Sequence, residues 1–121
     1  MAKIERFEDL QSWQKARQLA NTVYALSANS RFKRDFRLTN QIRDAAGSVM
    51  HNIAEGFDAG THPEFIRFLK ISRRSASEVQ SQLYLALDRA YISQEKLTGT
   101  YAMATETKRL INGMIAYLRS C

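Results

Sequence analysis

A chain of 121 residues that is 45% apolar and 25% charged carries enough material for one folded domain with its own core, which argues against intrinsic disorder, and no second domain is expected. A net charge of +6 and a pI near 9.8 favour a polyanionic partner such as RNA, DNA or an anionic surface. The single cysteine, Cys121, excludes an internal disulfide.

The opening "MAKIERFEDL" lacks the apolar stretch of a signal peptide, and no apolar run is long enough to span a bilayer. A cytoplasmic protein with no membrane association is therefore expected. One proline and five glycines leave little punctuation, so long helices are expected in place of many short strands.

A first helix is expected over about 9–28, with Asp9 as N-cap. At about 100° per residue, Trp13, Ala16, Ala20, Val23 and Tyr24 share one face, and Leu19 and Leu26 widen it on one flank. "NSRFKRDF" reads as a connection. A second helix over about 37–55 carries the seam Leu38, Ile42, Ala45, Val49 and Ile53, with Gly56 as its left-handed C-cap. Thr61 and Glu64 then have the spacing of a capping box, with Pro63 in the first turn.

The third helix, about 62–90, places Phe65, Phe68, Leu69, Ser72, Ala76, Val79 and Leu83 on one side. Ser93 caps a fourth helix over about 94–119, with Leu97, Tyr101, Ala104, Ile111, Met114, Ile115 and Leu118 inward. Short connections predict an all-α, antiparallel up-down-up-down four-helix bundle. Met103, Leu110 and Tyr117 repeat every seven residues beside the fourth-helix core. With Leu19 and Leu26 they exceed what one core stripe requires and are the candidate oligomer interface.

His51 and Glu55 stand one turn apart, a spacing that metal sites in bundles use. Their position opposite the second-helix seam turns them away from the core. The chain has two histidines and no Glu-x-x-His, so no metal and no cofactor are expected. Without a Gly-x-Ser-x-Gly, an internal cysteine or a Gly-rich phosphate loop, no catalytic residue is assigned.

Two basic clusters carry more information. "RFKRDFRLTNQIR" concentrates Arg31, Lys33, Arg34 and Arg37, with Arg43 further on and Phe32 and Phe36 interleaved. "RFLKISRR" sets Arg67, Lys70 and Arg74 opposite the third-helix core, with Arg73 beside them. Such cations neutralise phosphates or simply form a solvated helix face, and exposed phenylalanines stack on bases. The plainer expectation for both aromatics is an inward, core-capping position.

"FEDLQSWQKARQLANTVYAL", "FRLTNQIRDAAGSVMHNIAEGF", "PEFIRFLKISRRSASEVQSQLYLA" and "AYIS" resemble, in order and spacing, the 23S rRNA intervening-sequence protein family of bacterial four-helix bundles. The most specific pieces are Phe7-Glu8-Asp9-Leu10 with Trp13, Gln41-Ile42-Arg43 with Ala45-Ala46, Asn52-Ile53-Ala54-Glu55-Gly56, and Glu64-Phe65 with Phe68-Leu69. The chain departs from the pattern at Gly47, Met50, His51 and Arg74; Met50 replaces a common proline, and Arg74 enlarges the basic stripe.

The resemblance implies a homo-oligomer, typically a ring-like pentamer. It also implies a distant similarity to the accessory proteins of diversity-generating retroelements, basic pentameric bundles that bind nucleic acid and a reverse transcriptase. The sequence therefore predicts a non-enzymatic, self-associating bundle that binds RNA or DNA through its basic surfaces. The alternative is an adaptor whose ring binds a protein partner.

Overall fold

The structure, a computed structural model, describes residues 3–121. A 3-10 turn at Phe7–Asp9 precedes five helices: α1 Gln11–Leu26, α2 Ser30–Arg34, α3 Phe36–Phe57, α4 His62–Asp88 and α5 Gln94–Ser120. Strands are absent among the described residues. Four helices are long, and their ends lie within two residues of the expected ones.

The fifth helix, α2, forms where a plain connection was expected. The Asn29 side chain accepts the Phe32 N–H and starts α2, and the Asp35 side chain accepts the Leu38 N–H and starts α3. Phe32 is fully buried and stacks on Tyr91 at 5.3 Å, which gives the short helix the tertiary support its length cannot supply. The Tyr91 hydroxyl donates to Asp35 Oδ2 at 3.0 Å. That bond, reinforced by burial, pushes the tyrosine above its ordinary value and keeps it a donor.

Two expected helix ends are corrected. Asp9 lies in the 3-10 turn, and α1 follows Leu10, which makes no side-chain cap. Gly56 is inside α3; Gly60, at φ 92°, makes the left-handed turn. Gly56 is needed for close approach, because a Cβ there would meet Phe68 Cβ at 2.8 Å and Phe65 Cδ1 at 2.9 Å. Thr61 and Ser93 cap α4 and α5 as expected.

Each long helix packs on two others: α3 on α1 and α4, and α5 on α1 and α4. Along α3 and α4, Val49 meets Ser72 and Gly56 meets Phe65 and Phe68. Along α4 and α5 the successive partners are Arg73 with Asn112, Ser77 with Lys108, Gln80 with Thr105 and Tyr84 with Tyr101. Numbers rise on one helix as they fall on the other, so both pairs are antiparallel.

The α3 seam is buried throughout, as are Phe65, Leu69, Ser72, Ala76, Val79 and Leu83 of α4. On α5, Leu97, Ala104, Ile111, Ile115 and Leu118 are buried, whereas Tyr101 stays exposed. The first helix requires a correction. Leu19, expected on the interface flank, is fully buried, and Tyr24, expected in the core, is 50% exposed. Because α1 packs on both α3 and α5, its buried arc takes in Ala16, Leu19, Ala20 and Val23. Tyr24 lies about 140° around the helix from Leu19. The Arg43 guanidinium covers its ring at 4.7 Å, held there by donation from Nε to Ser27 Oγ at 2.8 Å.

Candidate nucleic-acid interface

On α4, Lys70, Arg73, Arg74 and Ser77 follow the spacing of neighbours on one helical face. The antiparallel register brings Lys108 and Asn112 of α5 opposite them, and these six residues line one open groove. Arg73 Nη1 donates to Asn112 Oδ1 at 2.7 Å, and Lys108 Nζ donates to Ser77 Oγ at 3.2 Å. Both partners are neutral, so they orient the cations without cancelling their charge. The ion pairs among the described residues are Arg6–Glu8, Glu64–Arg67 and Glu106–Arg109, and none involves the four groove cations.

Arg67, expected in the same strip, is differently placed. Its guanidinium forks onto Glu64, with Nε to Oε1 at 3.2 Å and Nη2 to Oε2 at 3.1 Å, and lies over the Phe68 ring at 4.5 Å. That hydrogen bonding, with the adjacent positive charge, holds the Glu64 carboxyl below its usual range. Arg67 thus brings its own counter-charge.

The first basic cluster lies elsewhere. Arg31 points its guanidinium at the Arg89 and Ala90 carbonyls, at 3.4 and 3.5 Å, beside the Tyr91 ring. It complements the negative end of α4. Since α4 rises about 1.5 Å per residue, this end lies roughly 25 Å from Lys70 and Arg74. Lys33, Arg34 and Arg37 are exposed within three residues of Phe36, which is 73% exposed. The inward expectation therefore holds for Phe32 and fails for Phe36. Phe36 precedes Leu38 of the buried seam by two residues, about 200° around α3, and so points outward.

Lys108 carries no signal of its own in the sequence, and only the α4/α5 register places it beside the α4 cations. Among the proposed interface residues, Leu26 and Met103 are half-buried against the chain's own core, Leu110 is half-buried, and Tyr117 is 55% exposed. A wide core face accounts for much of the surplus stripe. The exposed apolar surface instead includes Tyr84, Leu85 and Tyr101, with the two tyrosine rings edge to face at 6.0 Å.

His51 and Glu55 are both exposed on α3. Among the described residues, no group of three His, Cys, Asp or Glu side chains could hold a metal ion, and no helix is long and apolar enough to cross a membrane.

A family model described as 23S rRNA-intervening sequence protein matches residues 8–113, a span that includes both basic clusters and Lys108. The chain belongs to that family. A solved structure of a protein of unknown function from the S23 ribosomal protein family of Bacteroides thetaiotaomicron VPI-5482, at 1.70 Å resolution, is also similar. The similarity covers 87% of this chain and 95% of that one, with a TM-score of 0.79 and 24% identity, a likeness of fold. No curated protein sequence matches the chain.

Proposed function

We propose that this member of the 23S rRNA-intervening sequence family is a non-enzymatic, self-associating, antiparallel up-down-up-down bundle that binds nucleic acid through the α4/α5 groove. One observation carries the reading: Lys70, Arg73, Arg74 and Lys108 line a single groove and make no ion pair among the described residues. Four like charges on one strip attract phosphates and release the counterions condensed on them. Ser77 and Asn112 add hydrogen-bonding groups suited to phosphate and sugar, so the groove positions a backbone and reads little sequence.

Self-association, as a pentamer on the family resemblance, would repeat the groove in every subunit and raise avidity if the grooves share one face. The exposed Tyr84, Leu85 and Tyr101 support an apolar contact. The same surface supports the adaptor reading, in which a different protein occupies it.

Fluorescence anisotropy with labelled RNA at about 50 mM salt tests the groove. Lys70→Glu with Arg74→Glu is expected to weaken binding by at least about tenfold. Binding unchanged by the pair contradicts the assignment. Light scattering tests the assembly: a mass of 13.9 kDa in solution contradicts self-association.

A further inference from the structure

Among the described residues Phe36 is the most exposed large apolar side chain, at 73%, and its neighbours in sequence are charged. Lys33, Arg34 and Arg37 are exposed next to it in sequence, whereas its apolar neighbours Phe32 and Leu38 are buried. The one acid in this stretch, Asp35, is committed: Oδ1 accepts the Leu38 N–H at 3.1 Å and Oδ2 accepts the Tyr91 hydroxyl at 3.0 Å. The segment is also anchored. Phe32 stacks on Tyr91, and Asn29 Nδ2 donates to the Tyr91 carbonyl at 3.1 Å, so Phe36 is presented from a fixed support.

We propose that Phe36, flanked in sequence by the exposed Lys33, Arg34 and Arg37, is a stacking platform for an unpaired base of a single-stranded nucleic acid. A flat aromatic face between cations matches a ligand that alternates flat bases with phosphates. A protein contact would call for further exposed apolar side chains beside the phenylalanine, and the residues nearest in sequence supply cations instead. A duplex keeps its bases stacked on one another, so the platform selects single strands. The inference rests on the nucleic-acid reading and adds a second, base-sensing contact to it, roughly 25 Å along α4 from the groove.

The full chain is titrated with oligothymidine and oligouridine and with an abasic strand of equal phosphate count, at one salt concentration. The native protein is expected to prefer the base-bearing strands by at least about fivefold. Phe36→Ala and Phe36→Leu should abolish the preference while keeping salt-dependent binding. Phe36→Trp should retain it, with indole fluorescence quenched beyond the change shown by native Trp13. An oligodeoxyuridine arm, which differs from oligouridine in the sugar alone, assigns the strand as DNA or RNA. Equal binding of base-bearing and abasic strands by the native protein overturns the platform, leaves the groove reading standing, and leaves Phe36 to a protein contact. A preference that survives in Phe36→Leu also overturns it. No binding of any strand at low salt overturns both.

Discussion

The two sides of α4 are built from different chemistry. Towards α3 it presents small or apolar groups: Ser72 donates to the Val49 carbonyl at 2.6 Å, Ser75 meets Ser48 at 2.9 Å, and Phe65 and Phe68 close over Gly56. Small residues let the backbones approach, and the short hydroxyls satisfy themselves on the facing helix. Towards α5 it presents Lys70, Arg73, Arg74 and Ser77 along an open groove, with the buried Gln80 bonded to α5 beyond it. One helix therefore separates stability on its α3 side from charge on its α5 side.

That separation predicts a graded response. Gly56→Val places a branched side chain against atoms that already crowd a Cβ, and should cost roughly 3 kcal/mol in urea unfolding. Gln80→Ala is intermediate. Its amide donates to the Tyr101 carbonyl at 3.2 Å and Thr105 Oγ1 at 2.9 Å, and losing both bonds should cost about 1 kcal/mol. Lys70→Ala with Arg74→Ala should change stability by less than about 0.5 kcal/mol, because both side chains are exposed and unpaired among the described residues. A large loss for this last pair would show that the groove cations hold the fold together.

Much of this architecture was legible in the sequence. The seam from Leu38 to Ile53 and the caps at Thr61 and Ser93 follow from local spacing and local hydrogen bonding, and both are where the pattern puts them. What failed depends on neighbours. Periodicity finds the apolar side of α1, but the position of α3 and α5 decides that Leu19 goes inside and Tyr24 outside. Gly56 looked like a helix stop because glycine serves both ends and close approaches, and only Phe65 and Phe68 across the interface distinguish the two.

The candidate site divides in the same way. Lys70, Arg73 and Arg74 are visible as a stripe on one helix. Lys108 becomes their partner through register alone, and Arg67 leaves the unpaired set through a carboxylate one turn away. The opposite fates of Phe32 and Phe36 turn on a short helix that Asn29, Asp35 and Tyr91 hold in place.

The central claim is that unpaired charge in the α4/α5 groove binds phosphates, and the salt dependence of RNA affinity tests it most directly. Replacing Lys70, Arg74 and Lys108 with alanine should flatten the slope of log K against log salt by about 2 to 3, while the unfolding transition stays in place. A slope equal to that of the native protein would contradict the account.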